Sequence, residues 1–397
     1  MQYLWNKEID ELKETGYMKN AISITDALIE NFYHEILKPE EQRLLTMCFD
    51  ESPTQEDLDE LLKIWDIEVK GAAKSLMLSY LMKRYSYLKF TEYEAPRLKG
   101  LLTHTRFANL KIIAHYTKIG KALNAQGIIP MILKGGAMKF LRPDLPRIMG
   151  DIDALVPEKD FMKSAEIAVG LGYEYSKVDI HAIDLHEKGQ ENGILDIHRF
   201  IYMETGKEKN WLKGLYKRAQ EKVVFNVKTL LPSHEDLLFI SLTNLAKNLR
   251  NKTSQAGLLY TLFDCKFFIE DKPSFDWNIV KENAKKTGTE FQINFAIKFI
   301  NKISKNIIPQ DILENKLFEK EMNEYSNMVM FKRFYLEDIR TKCREMKIKD
   351  VIKTPDLWWK YVTLKPKYQL LKTLRKHPKL IEIFIKDLKT KRYDFTN

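Results

Sequence analysis

The chain has 397 residues, 44% hydrophobic and 11% aromatic, enough apolar material for a sizeable core in two or three domains and too much for a disordered chain. Its three cysteines, Cys48, Cys265 and Cys343, lie far apart, which excludes a disulfide framework and a cysteine-based zinc site. The net charge of +10 is concentrated at one end: residues 340–397 carry 17 Lys/Arg against 6 Asp/Glu, a surplus of 11, while the preceding 339 residues sum to −1. The opening Met1-Gln2-Tyr3-Leu4-Trp5-Asn6-Lys7-Glu8 lacks the basic and apolar regions of a signal peptide, and the longest apolar runs, such as Ile128 to Leu133, are too short to span a bilayer. With dispersed thiols, the expectation is a soluble protein of the reducing cytoplasm.

Residues 20–90 read as helical. Ile22, Leu28, Ile29, Ile36 and Leu37 recur at helical spacing, and Pro39 suits the first turn of a helix through Leu44, Leu45 and Met47. Ser52-Pro53-Thr54-Gln55-Glu56-Asp57 starts another, with Leu58, Leu61, Leu62 and Trp65 on its apolar face. Further helices are expected over 72–90 and from about Leu101 through Ile112, Ile113, Tyr116 and Ile119 to Leu123, the last ending at Gln126-Gly127.

The pattern then changes. Ile128 to Leu133 reads as a buried strand, Lys134-Gly135-Gly136 as its exit turn, and Ala137 to Leu141 as the start of a helix. A loop over 142–147 leads to a strand from Ile148 to Val156, stopped by Pro157. Glu158 to Leu171 reads as a helix closed by Gly172, Tyr173 to Val178 as a strand, and Ile194 to Phe200 as a half-buried strand of alternating character. After Leu231-Pro232-Ser233 the chain turns helical over His234 to Leu249 and Ala256 to Ile269. The expected fold class is α+β: a small mixed β-sheet core flanked by N-terminal and C-terminal helical regions. The boundaries expected are an N-terminal helical region at 1–95, the core at 96–230, a C-terminal helical domain at 231–340 and a basic, aromatic-rich tail at 341–397.

Asp151 and Asp153 stand one residue apart on a strand, so both side chains point to one face, about 6–7 Å apart along the chain. Carboxylates so placed can bridge a pair of Mg²⁺ ions, which suits in-line phosphoryl or nucleotidyl transfer. Gly135 and Gly136 after a buried strand let the backbone approach phosphate, and Lys134 adds a charge there. Arg147 can neutralise phosphate. Asp196, alternating with Leu195 and Ile197, is the best third carboxylate, to complete coordination or activate the attacking hydroxyl. Each feature alone is ordinary; the joint arrangement is rare. His198 can orient Asp196 or contact the acceptor, and a satisfied structural histidine is the plainer reading. His181, Asp184 and His186 resemble a metal cluster, but the two histidines are five residues apart, which places them on one face of neither a helix nor a strand, so acceptor-side or structural roles outweigh metal binding. Asp264 reads as a cap or ion-pair partner.

These residues resemble the DNA polymerase β type of nucleotidyltransferase superfamily, and more narrowly a bacterial group of uncharacterised nucleotidyltransferases. Leu133-Lys134-Gly135, Arg147-Ile148-Met149-Gly150-Asp151-Ile152-Asp153-Ala154-Leu155-Val156 and Asp196-Ile197-His198-Arg199 carry the resemblance, supported by 231–238 and Leu262-Phe263-Asp264, over roughly residues 100–270. It implies an Mg²⁺-dependent transferase, with Mn²⁺ as a substitute, that moves a nucleoside monophosphate from an NTP, ATP included, to a small-molecule, peptide or protein acceptor. Asp151, Asp153 and Asp196 would hold metal and catalyse, and Lys134, Gly135, Gly136 and Arg147 would bind the nucleotide. Gly135-Gly136 departs from the superfamily's Gly-Ser, and Arg199 from the group's His-Trp. Two other readings stay open: a retired, nucleotide-binding scaffold, which the missing serine favours, and an RNA-directed enzyme, which the basic tail favours. In that tail Trp358-Trp359-Lys360-Tyr361 and Lys365-Pro366-Lys367-Tyr368 suit either nucleic acid or packing on the helical domain, with packing favoured.

Overall fold

In the computed structural model the described residues run from Ile29 to Glu314, apart from 30–32, 35, 50–51, 68–71, 179–180, 191–192, 202–204, 252–254, 272–273 and 305–306. The expectations for residues 20–28 and for the tail from 340 lie outside the described residues. Two compact units divide the chain. One takes the described residues up to Ala95 with Leu238–Lys285 and those from Thr289 on; the other takes Pro96–Leu237 and Lys286–Gly288.

The first unit is helical: α1 (Pro39–Phe49), α2 (Gln55–Ile64) and α3 (Ala72–Arg84). Thr54 caps α2 through a reciprocal box: the Asp57 N–H donates to Thr54 Oγ1 at 3.1 Å, and the Thr54 N–H donates to Asp57 Oδ2 at 2.9 Å. The sequence pattern for α3 extends to Phe90, but the helix stops at Arg84, where Tyr85 and Leu88 fold back into the core through a short turn.

The second unit carries the sheet. It opens with α4 (Glu94–Ala125), a helix of 32 residues ended by Gly127 at φ 72°. Then follow β1 (Met131–Ile132), α5 (Lys134–Leu141), β2 (Ile152–Leu155), a 3₁₀ turn at Glu158–Asp160, α6 (Phe161–Gly170), β3 (Tyr173–Val178), β4 (Ala182–Glu187), β5 (Leu195–His198), α7 (Thr205–Arg218), β6 (Gln220–Val224) and β7 (Val227–Leu231). From Leu238 on the chain belongs to the first unit, apart from Lys286–Gly288, with α8 (His234–Asn251, begun in the second unit), α9 (Gln255–Glu270), α10 (Trp277–Thr287), α11 (Glu290–Ile303) and α12 (Gln310–Glu314).

The seven strands form one mixed sheet in the order β3-β4-β5-β2-β1-β7-β6. Strands β2 and β5 run parallel, as do β1 and β7; the other neighbours are antiparallel. The strands expected near 128–133, 148–156 and 194–200 are shorter than their apolar runs, because pairing spans only part of each. The β6–β7 hairpin escapes the sequence reading, since Gln220, Glu221 and Lys222 are exposed and break the apolar signal. Its turn is made by Phe225 and Asn226, both in the left-handed region at φ 52° and 61°, the backbone twist that suits a two-residue hairpin.

Helix α4 lies across the sheet. Its buried stripe includes Asn109, Ile113, Tyr116, Ile119 and Leu123. Gly120 lets it approach β7 closely: a Cβ there would stand 2.6 Å from Val227 Cγ1. Tyr116 meets Thr229 through their hydroxyls, and His115 meets Tyr173 of β3 at 2.9 Å.

Among the described residues no helix is long and apolar enough to cross a membrane. Cys48 and Cys265 are buried free thiols.

The fully buried Asp236 closes the second unit. It accepts two bonds from Arg218, at 2.8 and 2.7 Å, and one from the Ser233 hydroxyl at 3.0 Å. Removing one partner of a buried pair strands the other. Asp236→Ala should cost about 3 kcal/mol in urea unfolding, whereas a cost under about 0.5 kcal/mol, the scale of a neutral surface change, would show the pair to be dispensable.

Candidate active site

The site stands where β2 and β5 run side by side. Their register sets Asp153 opposite Asp196, and the next pairing sets Asp196 opposite Asp184 of β4. Three carboxylates from three adjacent strands therefore share one level of the sheet. His198, two residues after Asp196, projects to the same face. Its Nδ1 lies 3.1 Å from the Phe200 carbonyl, which accepts the Nδ1 proton and fixes the ring. Its Nε2 then points between the carboxylates, 2.9 Å from Asp153 Oδ1 and 3.0 Å from Asp196 Oδ2. Lys134 also bonds Asp153 Oδ1 through its ammonium.

The electrostatics follow from this geometry. Burial works to raise the Asp153 pKa, but the Lys134 charge and the His198 bond hold it well below the usual carboxylate range. Asp196 behaves alike: burial is outweighed by His198, and the carboxyl stays lowered. Burial works against a charged His198, yet Asp196 and Asp153 together push its pKa up to about 9. Lys134 is raised as well, with Asp153 overcoming its burial. At neutral pH the buried Asp153 and half-buried Asp196 are thus matched by the buried His198 and the half-buried Lys134.

Asp151 is different. It precedes β2 and its side chain reaches solvent at the rim. The protein crowded around it, then the Asp153 charge, push its pKa up to about 7, with Asp196 and Asp184 adding to the effect and Lys134 opposing it. Solvent at the rim screens part of that shift.

Lys134-Gly135-Gly136 is not an exit turn. Leu133 stays extended, Lys134 turns the backbone in one step at φ 48°, and the glycines form the first turn of α5. A left-handed backbone at a bulky residue is uncommon and is held here by the ion pair to Asp153. Both glycines are packing positions. A Cβ on Gly135 would stand 2.2 Å from Arg147 Nη1, and one on Gly136 would stand 2.8 Å from Ile132 Cγ2. The absence of a serine at 136 therefore has a steric reason. Arg147 lies against the start of α5, with Nη1 donating to the Ile148 carbonyl at 3.0 Å.

Asn109 on α4 holds the loop before Asp151. Its Nδ2 donates to the Arg147 carbonyl at 2.7 Å, and its Oδ1 accepts from the Met149 N–H at 2.9 Å. The sequence reading passes over Asn109, and takes Asp184 only together with His181 and His186, not with Asp196. The signals of Asn109 and Asp184 are an amide on an apolar helical stripe and an acidic residue on the alternating stretch 182–187. The structure brings together Lys134, Asp153, Asp196 and His198, with Gly135, Gly136, Arg147 and Asp151 beside them. His181 stacks near His198, ring centroids 5.5 Å apart, and His186 faces Glu174 at 3.7 Å, toward the β3 side. Asp264 is buried within α9, in the helical unit.

Asp153, Asp196 and His198 each offer a ligand atom within 4.8 Å of the others. Two carboxylate oxygens that already draw two cations are a fitting pair of donors for a divalent ion, while a charged His198 holds them in place and becomes a ligand only on losing its Nε2 proton.

A sequence-family match defines the class, a nucleotidyltransferase, that is, a transferase enzyme with an NTP as donor. The chain belongs to the family described as uncharacterised nucleotidyltransferases, whose sequence model matches residues 69–304, more than half of its length. No curated protein matches it. Among solved structures it is similar to the antibiotic-resistance factor ANT(2'')-Ia, at 12% identity and a TM-score of 0.34 over 46% of this chain and 94% of that one. It is also similar to an antigenic nucleotidyltransferase-like protein from Paracoccidioides brasiliensis, at 13% identity and a TM-score of 0.33 over 51% and 96%.

Two tests follow from this geometry. Gly136→Ser restores the superfamily residue but drives its side chain into Ile132, so it should lower stability by about 1–3 kcal/mol; an unchanged melting temperature would refute the packing role. His198 has its pKa raised on folding, so its stabilisation is full below about pH 6.5 and fades as pH rises through about 9. With chelator present, unfolding at pH 7 and 9.5 should show a larger loss for the native chain than for His198→Asn. Parallel losses would mean that His198 is not held charged.

Proposed function

We propose that this enzyme is a Mg²⁺-dependent nucleotidyltransferase, Mn²⁺ substituting, whose active centre is Asp151, Asp153 and Asp196. The observation that carries the reading is the register of β2 on β5, which faces Asp153 with Asp196 beside the Lys134 helix start. Asp153 and Asp196 would hold the ion, with Asp151 at the rim. A bound divalent ion would neutralise charge on the transferring phosphoryl group.

The chain's own groups have defined tasks. Lys134 and the free N–H groups in the first turn of α5 bind the triphosphate. Arg147 adds positive charge beside them. An acceptor oxygen attacks the α-phosphorus; the new P–O bond forms as the bond to the β-phosphate oxygen breaks, and pyrophosphate leaves with the electron pair. Asp196 takes the acceptor proton and passes it to solvent. His198 keeps Asp153 and Asp196 aimed at one point. His181 and His186 line the side toward β3, where an acceptor would approach. The acceptor is a hydroxyl-bearing small molecule, peptide or protein. The matched charges of an intact centre weigh against the retired-scaffold reading.

Each NTP labelled at the α-phosphate is incubated with the protein, Mg²⁺ and cell extract, and adducts are read by mass spectrometry. Label should enter an acceptor as a nucleoside monophosphate, and Asp153→Asn should reduce transfer about a hundredfold or more, the scale of several kcal/mol of lost transition-state stabilisation. Transfer of the γ-phosphate instead, or full turnover by Asp153→Asn, contradicts the assignment.

A further inference from the structure

The stretch from Ala95 to Pro143 contains nine Lys/Arg and no Asp/Glu. Much of that charge lies on the outer face of α4. Lys99, Arg106, Lys111 and Lys121 are exposed there, and none makes an ion pair among the described residues. At 3.6 residues per turn these four fall within one half of the helix circumference, which begins beside the buried stripe through Asn109, Ile113 and Tyr116 and runs round to the side away from it. Phe107 and Leu110 sit among them, 67% and 43% exposed. A solvated helix face normally intersperses both signs of charge and hides its aromatics. This one does neither.

We infer that the outer face of α4 binds single-stranded nucleic acid, with RNA as the probe of choice. Cations spaced along about 33 Å of helix, from Lys99 to Lys121 at 1.5 Å per residue, match a phosphate backbone. An aromatic ring exposed among them offers a base a stacking surface without sequence preference. A membrane surface fits less well, since an interfacial helix needs a continuous apolar stripe and this face has two apolar residues. The position of α4 gives the surface its relevance. Asn109, on the turn that exposes Arg106, Phe107 and Leu110, holds the loop leading to Asp151 from the same stretch of helix. A strand on α4 therefore lies within about one helix diameter, 10–12 Å, of that loop. The inference goes beyond nucleotidyl transfer and stands whether or not RNA is the acceptor.

The test uses the full chain and a fluorescein-labelled 20-nucleotide oligo(U) RNA, with anisotropy read across a salt series. The variant Lys99→Gln/Arg106→Gln/Lys111→Gln changes exposed side chains only, and circular dichroism checks its fold. Each lost phosphate contact removes about 0.7 from the slope of log K against log salt for single strands. The variant should therefore bind at least tenfold more weakly and show a slope shallower by about 2. Phe107→Ser should weaken binding several-fold and leave the slope unchanged, because stacking is not an ionic contact. No RNA binding by the native chain, or equal affinity and slope for native and triple variant, would overturn the inference. So would a variant that keeps RNA but loses binding to phosphatidylserine–phosphatidylcholine vesicles, which would make α4 a membrane surface.

Discussion

The His198 imidazolium between Asp153 and Asp196 is the interaction on which the centre depends. Two carboxylates facing each other across neighbouring strands repel, and burial intensifies the repulsion. His198 and the Lys134 ammonium offset it. The proposed centre thereby holds a buried and a half-buried carboxylate ionised and aimed at one point. Such preorganisation is the largest contribution a fixed site makes to phosphoryl chemistry. A compact centre of matched charges also explains how a site so acidic can sit on a folded sheet.

Everything around the centre maintains that arrangement. Parallel pairing of β2 with β5 fixes the level of both aspartates, and one residue of slippage of either strand would turn its own aspartate away. The glycines of α5 bring the helix start onto the sheet so that Lys134 reaches Asp153. Asn109 pins the loop in front of Asp151, and Tyr116 and Gly120 set the helix that carries it against β7. The long α4 is thus both a scaffold for the site and the owner of an exposed cationic ridge.

Much of the site was legible because its residues lie at spacings that have one structural meaning. Asp153 on an apolar strand and Asp196 between Leu195 and Ile197 give the facing carboxylates, whereas Asp151, read as part of the same strand, precedes it at the exposed rim. Tyr173–Val178 emerged as the strand its composition indicates. The glycines misled in detail: a Gly-Gly pair reads as a turn, but here the turn falls on Lys134 and the glycines answer contacts from Arg147 and Ile132, which are remote in sequence or hidden by local pattern. The β6–β7 hairpin was illegible because an exposed edge strand has little apolar periodicity. The partnership of His198 with two aspartates is a tertiary fact, since Asp153 lies 45 residues away and only strand register joins them.

The most direct test of the account is Mn²⁺ binding followed by electron paramagnetic resonance, with and without ATP, for the native chain and for Asp153→Asn and Asp196→Asn. The account predicts bound Mn²⁺ in the native chain, tightened by ATP, and its loss in each folded variant. Equal Mn²⁺ binding by all three proteins would contradict it, because the paired carboxylates would then not be the metal centre.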